Sequence, residues 1–243
     1  MCAPRCILIS PHLDDAVISV GGHLIHWRKR GIFVTVYDFF SVSNFTRWGF
    51  GDQTEVTATR KREERLVLEE LGVDFVFLGY EESVVRGHRI EDEAVGYPIV
   101  FQPALDQPVV SRAIGDLRGI LSRHPDCETL FPAAIGDHID HVCLQRAACC
   151  AIAELPNLRF GFYEDLPYCQ GREFPALIKQ RYDLRPRALT IDLEAKLSCI
   201  RRYASQPTDE WIGAIAEHAR QVGTGTAMER VWTRESSYPA VGC

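Results

Sequence analysis

The stretch that decides the reading is Cys6-Ile7-Leu8-Ile9-Ser10-Pro11-His12-Leu13-Asp14-Asp15-Ala16. Its first five residues, CILIS, are a short apolar run with the pattern of a strand, and residues 15–30 then read as a helix. A histidine and two adjacent carboxylates therefore stand at a strand-to-helix turn. Further along, residues 33–40 (FVTVYDFF) are β-branched and aromatic and predict a buried strand. A polar, aromatic-rich stretch over 41–56 has no clear period. Residues 57–71 form a charged amphipathic helix that Gly72 is placed to stop. Residues 74–78 (DFVFL) predict a third strand.

Residues 81–107 read as loop, carrying Gly87, Gly96, Pro98 and Pro103, with Pro108 just beyond. A helix follows over 109–123, a strand over 129–133 (TLFPA), a helix over 138–154 and a strand over 159–163. In the last third, a strand over 189–193 and helices over 194–205 and 209–222 are expected. The repeated strand–helix–strand order predicts an α/β, mostly parallel sheet with helices on both faces. No repeat or linker divides the chain. One domain over 1–243 is expected, with a core of about 5–170 and a C-terminal extension of about 171–243. In such sheets the working site lies beyond the carboxyl ends of the strands. The places to look are just after Ser10, Phe40, Leu78, Ala133 and Tyr163.

Composition narrows the class. The 243 residues are 46% apolar and 25% charged, ordinary for a globular protein. The net charge of −6 speaks against nucleic acid as a partner. The basic clusters Arg28-Lys29-Arg30 and Arg60-Lys61-Arg62 read as solvated helix faces. No apolar run approaches the ~20 residues that span a bilayer, and the N-terminus lacks a signal-peptide core. Nine cysteines, an odd number without a C-x-x-C pair, fit reduced structural thiols better than a disulfide framework. The expectation is a cytoplasmic protein with no nucleic-acid or membrane partner; a homo-oligomer is left open.

The chemistry lies in two clusters. The first is His12, Asp14 and Asp15 after the first strand. The second is Gly136-Asp137-His138-Ile139-Asp140-His141 after the fourth. Residues three apart at a helix start face one side, so His12 and Asp15 can meet at one point, joined by His141 from the other segment. Two imidazoles and a carboxylate leave a fourth position for water, the arrangement of a catalytic zinc. One Zn2+ per chain is expected, held by His12, Asp15 and His141. Zinc lowers the pKa of bound water and polarises a carbonyl. Asp14, pointing elsewhere, is then free to act as general base. His138, a turn before His141, borders the site; as imidazolium it would stabilise an oxyanion and protonate a leaving amine, with Asp140 fixing its tautomer or raising its pKa. Either cluster alone could be a capped loop, since Asp14, Asp15 and Asp137 are all good caps. Two at the same sheet edge argue for a site.

These segments resemble the LmbE-like, or PIG-L, family of zinc-dependent N-deacetylases. That family acts in mycothiol and bacillithiol synthesis, on N-acetylglucosaminyl-phosphatidylinositol and on several sugar antibiotics. Its P/A-H-P-D-D-E motif stands here as Pro11-His12-Leu13-Asp14-Asp15-Ala16, and its H-x-D-H motif as His138-Ile139-Asp140-His141. The resemblance implies a Rossmann-like fold and zinc ligands His12, Asp15 and His141. It also implies Asp14 as base, His138 as oxyanion or acid histidine, and Asp140 as the residue that tunes it. Arg60, in an R-x-x-E element ahead of Leu71-Gly72, matches an arginine that contacts substrate in some members. Leu13 and Ala16 depart from the motif; neither is a ligand, but the missing carboxylate at Ala16 bears on how the ligands are oriented.

The first motif, together with Tyr163-Glu164-Asp165-Leu166-Pro167-Tyr168, is more similar to the antibiotic-pathway branch. The implied substrate is an N-acetylated amino sugar within a small secondary metabolite, an aminoglycoside or glycosylated antibiotic intermediate, releasing acetate. Candidate substrate contacts are Arg60, Trp48, Glu164, Asp165 and Tyr168, with Phe50 beside Trp48. A negative net charge favours an amine-bearing substrate. The alternatives are a thiol-pathway N-acetylglucosaminyl precursor, another metal hydrolase such as a phosphoesterase, or a non-catalytic metal-binding protein. Glu229, Arg230 and Trp232 read as a terminal docking patch.

Overall fold

Ile7, Leu8 and Ile9 are all buried, and so are Val34, Val36, Phe39 and Phe40. Successive side chains of a strand point to opposite faces, so strands buried in this way must be covered on both. The structure, a computed structural model, describes residues 5–88 and 101–234. In chain order its elements are β1 (Arg5–His12), α1 (Asp15–Lys29), β2 (Phe33–Val42), the hairpin β3 (Phe45–Thr46) and β4 (Gly49–Phe50), α2 (Gln53–Leu71) and β5 (Asp74–Glu81). They continue with α3 (Pro103–Arg123), β6 (Glu128–Pro132), α4 (Ile139–Glu154), β7 (Arg159–Tyr163), α5 (Ala176–Tyr182), β8 (Arg185–Thr190), α6 (Leu193–Ile200), α7 (Asp209–Val222) and β9 (Met228–Thr233).

The seven-stranded sheet has the order β5-β2-β1-β6-β7-β9-β8. Its first five strands are parallel, and β9 runs antiparallel to both of its neighbours. The chain moves outward from β1 to β2 and β5, then returns to the other side of β1 with β6. The strand order thus reverses between β1 and β6, and in open α/β sheets such a switch point is where ligands bind, beyond the carboxyl ends of the strands. α3 packs against α4, while α1 packs against α6 and α2. No helix among the described residues is long and apolar enough to cross a membrane.

Several boundaries differ from the sequence reading. α2 begins at Gln53 because the Asp52 carboxylate caps it, accepting the Thr54 and Glu55 N–H groups at 2.9 and 3.0 Å. α3 begins at Pro103, where a proline costs no hydrogen bond. The expected loop therefore ends at Gln102, and its segment 89–100, with Gly96 and Pro98, lies outside the described residues. The strand expected at 189–193 runs instead over Arg185–Thr190, and α5, β9 and the β3–β4 hairpin are additional elements.

The Glu229 patch corrects another expectation. α1 leaves helical geometry at Val20 (φ −131°, ψ 27°), which frees backbone groups beyond it. Glu229, on β9, accepts the Gly22 and His23 N–H groups at 2.9 and 2.8 Å and stands 2.6 Å from Lys196 Nζ. All are buried, and a Cβ on Gly22 would stand 2.4 Å from Ile191 Cγ2. Glu229 thus fastens α1, α6 and the sheet together from inside.

Candidate metal centre and its surroundings

The tip of β1 and the start of α4 meet at the switch point. Two strained turns present their side chains there: Asp14 has φ 134°, and Ala134 and Asp137 have φ 59° and 60°. Non-glycine residues persist in such conformations where the surrounding structure holds them, commonly at functional sites. Gly136, at φ 96°, has no room for a Cβ, which would stand 2.4 Å from Tyr168 Cβ. This close approach seats the Tyr168 ring 6.0 Å from His138 and 5.7 Å from His141.

His12 Nδ1 lies 3.0 Å from Asp15 Oδ2, and His141 Nε2 lies 3.1 Å from the same oxygen. The second contact lacks hydrogen-bonding geometry: His141 Nε2 is buried without a hydrogen-bond partner. The opposite ring nitrogens are anchored, His12 Nε2 on Asp140 Oδ2 at 3.0 Å and His141 Nδ1 on Asp165 Oδ1 at 2.7 Å. Imidazoles with one nitrogen on a carboxylate and the other aimed at a shared carboxylate oxygen have the donor set and orientation of metal ligands. His12, His138 and His141 also offer ring nitrogens all within 4.8 Å of one another. The group fits a single ion by burial, donor type and proximity.

The electrostatics follow. Burial opposes charge on His12 and His141, but Asp140 and Asp15 outweigh it for His12, and Asp15 and Asp165 do so for His141. His12 is raised well above the usual imidazole range and His141 to about 9. Burial would raise Asp15, but His141 and His12 hold it well below the carboxylate range. Asp14 differs from its neighbour. Burial pushes it up to about 7, with Asp15 adding and the Arg60 guanidinium, 3.8 Å away, opposing. Two adjacent aspartates are therefore driven apart, one fixed as a carboxylate and one poised to exchange a proton near neutrality.

His138 caps α4, its Nδ1 accepting the Asp140 N–H at 3.2 Å. Burial, and then the His12 charge, hold it well below the usual range, so it is an uncharged imidazole with its proton on Nε2. This corrects the expected imidazolium. The Asp140 carboxylate meets His12, the Ser83 N–H at 2.9 Å and Arg86 Nη1 at 2.7 Å; its link to His138 runs through the backbone.

Other expected site residues are placed differently. Asp165 is fully buried, held by His141 and by the Ile135 N–H at 3.0 Å, and so supports a histidine instead of facing a substrate. Glu164 is likewise buried, with Arg230, Trp232 and His218 around it. Arg60 is buried beside Asp14, where it meets Glu82, Ser43 and the Leu13 carbonyl. Trp48 sits on the β3–β4 hairpin, stacked under Arg47 and 69% exposed, with Phe50 nearby. The sequence reading missed Ser83, Arg86 and Glu82, which follow β5 at a strand end it had marked, and Trp211, whose ring lies 6.0 Å from Tyr168.

This fold and these paired His/Asp segments define a family. Over residues 7–152, more than half of its length, the chain matches the GlcNAc-PI de-N-acetylase (PIG-L) family, and it belongs to that family. It is 29% identical over 262 residues to 2'-N-acetylparomamine deacetylase of Streptomyces fradiae, covering 94% of this chain and 89% of the relative. It also resembles the zinc-inhibited form of teicoplanin deacetylase Orf2 (TM-score 0.76, 25% identity, 96% of this chain and 100% of that one). The teicoplanin-bound deacetylase of teicoplanin biosynthesis matches with TM-score 0.77 and 25% identity, over 94% and 97% of the two chains. All three relatives are deacetylases by name, the last of them in the biosynthesis pathway of teicoplanin.

Proposed function

We propose that this chain is a zinc-dependent N-deacetylase. Its proposed substrate is an N-acetylated amino sugar within a small secondary metabolite, of the aminoglycoside or glycosylated-antibiotic type, and its products are acetate and the free amine. The observation that carries this reading is the convergence of His12 Nδ1 and His141 Nε2 on Asp15 Oδ2, with Asp14 alongside at a raised pKa. His12, Asp15 and His141 are the proposed ligands. A His138 ring nitrogen lies within 4.8 Å of those of His12 and His141, but its Nδ1 accepts the Asp140 N–H and its Nε2–H is assigned to the oxyanion instead.

A zinc ion held there supplies Lewis acidity, lowering the pKa of water and polarising the amide carbonyl. Asp14 takes the proton of the attacking water and returns it to the departing amine, a role that needs a pKa near the working pH. His138, uncharged, donates Nε2–H to the developing oxyanion. Arg60 balances Asp14, limiting how far burial raises it. Tyr168 and Trp211 form an aromatic wall beside the histidines on which a sugar ring can lie. Trp48, exposed on its hairpin, is a further proposed substrate contact. The described cysteines are all free, which supports a reducing, cytoplasmic setting.

Acetate release tests the reading on a panel of N-acetylated aminoglycosides, a glycopeptide-type sugar conjugate, the mycothiol and bacillithiol precursors and N-acetylglucosamine. Turnover of an antibiotic-type conjugate is expected. Turnover of a thiol-pathway precursor alone overturns the substrate class and leaves the deacetylase; no turnover by zinc-loaded protein overturns both.

A further inference from the structure

Glu164, Cys169 and His218 form a second cluster of metal-ligating side chains, separate from the His12, Asp15 and His141 group. Glu164 directly follows β7, Cys169 lies in the loop beyond it, and His218 is on α7. A carboxylate oxygen, a thiol sulfur and a ring nitrogen from the three lie within 4.8 Å of one another. His218 Nε2 stands 3.0 Å from Glu164 Oε2 and 3.7 Å from Cys169 Sγ, and the sulfur is 3.9 Å from His218 Nδ1. Ligand atoms about 2.0–2.3 Å from a tetrahedral zinc stand about 3.3–3.6 Å from each other. The His218–Glu164 and His218–Cys169 spacings lie within a few tenths of an ångström of that range, and Glu164 and Cys169 stand within 4.8 Å of each other.

The surroundings are those of a built ligand set. Glu164 and Cys169 are buried, and the His218 side chain is 11% exposed, so an ion could enter beside the ring. Glu164 presents Oε2 because its other oxygen is occupied, accepting Arg230 Nε at 2.6 Å and Trp232 Nε1 at 2.9 Å. A carboxylate ligand steadied by donors on its far oxygen is the usual support of a metal site. One thiolate, one imidazole and one carboxylate suit a borderline ion, Zn2+, better than Mg2+ or Ca2+, which prefer oxygen alone.

We propose that Glu164, Cys169 and His218 bind a second zinc ion, which ties the loop after β7 to α7. Between two of these ligands lie Asp165, which orients His141, and Tyr168, which faces His138 and His141. An ion there fixes the segment that supports the first centre.

The test is spectroscopic and needs no turnover. Metal-free full-length protein is titrated with Co2+ and, separately, with Zn2+. The His12, Asp15 and His141 group contains no thiolate, so a thiolate-to-cobalt charge-transfer band in the near ultraviolet reports on the second site alone. The band is expected in the wild type and in Asp15→Ala, and is expected to vanish in Cys169→Ala, together with the second zinc equivalent. Should Cys169→Ala lose its circular dichroism signature, His218→Gln is read instead and must lose the second equivalent. No band in the wild type overturns the proposal and leaves Cys169 as a thiol hydrogen-bonded to a histidine. A band that survives Cys169→Ala overturns it equally, since another cysteine would then be the ligand.

Discussion

His141 Nδ1 and Asp165 Oδ1 are 2.7 Å apart, and the other oxygen of Asp165 accepts the Ile135 N–H at 3.0 Å. The carboxylate is thereby fixed in the turn that leads to α4, and it aims His141 Nε2 at Asp15. Asp165→Asn keeps the shape but places an amide N–H against the Ile135 or His141 donor. Zinc affinity should fall about 10–100-fold, the usual cost of losing a ligand's support. Titration against a competing chelator measures it, and unchanged affinity would remove Asp165 from this role.

Asp14 and Asp15 adjoin in sequence but should separate by experiment. Asp15→Ala should lose the metal. Asp14→Asn should keep it and lose about 10²–10⁴-fold in turnover, the range for a general base. Near-normal turnover by zinc-loaded Asp14→Asn would show that another group takes the proton.

Glu229 tests the internal fastening of α1. Its partners Lys196 and His23 outweigh burial and hold it down at about 2, against an ordinary 4.5. A depressed carboxylate contributes stability that is present above its unfolded pKa and lost as pH falls through the folded one. This contribution should therefore fade between about pH 4.5 and about pH 2. Glu229→Gln leaves Lys196 buried without a counter-charge and should cost about 3–5 kcal/mol at neutral pH. A urea midpoint within error of the wild type would contradict this.

Glu128 behaves in the opposite sense. Burial raises it to about 7 from 4.5, although Arg159 lies 3.4 Å away and opposes the shift. A raised carboxylate contributes stability that is full below the unfolded pKa and is lost as pH rises through the folded one. Glu128→Gln should therefore gain on the wild type between about pH 4.5 and about pH 7 and hold that gain above it. Urea midpoints at about pH 5 and about pH 8 decide it; a gap that shrinks with pH would show that Glu128 is not the group responsible.

Much of this was legible because the signals are local. Strands buried on both faces read as apolar runs, so β1, β2, β6 and β7 were found near their true positions, and the half-exposed edge strand β5 was found from its β-branched and aromatic residues. His12, Asp14 and Asp15 share one turn, and His138, Asp140 and His141 another. β9 was missed because its sequence, MERVWT, carries charged residues whose partners lie far away: Glu229 meets Lys196 and Gly22 only after the sheet forms. Arg86 and Ser83 were missed for the same reason, since β5 and β1 are separated in the sheet by β2 and Asp140 comes from α4. Pro103 and Pro108 were read as loop markers although Pro103 opens α3 and Pro108 sits within it. Asp165 was expected to meet substrate because its place at a strand end was visible and its partner His141 was not.

The central claim is deacetylation by the His12, Asp15 and His141 centre, and acetate release from N-acetylated aminoglycosides tests it most directly. Zinc-loaded protein should release acetate, lose that activity on chelation and regain it when zinc is restored, while Asp15→Ala stays inactive throughout. Acetate release that survives full removal of metal, or that persists in Asp15→Ala, would contradict the account.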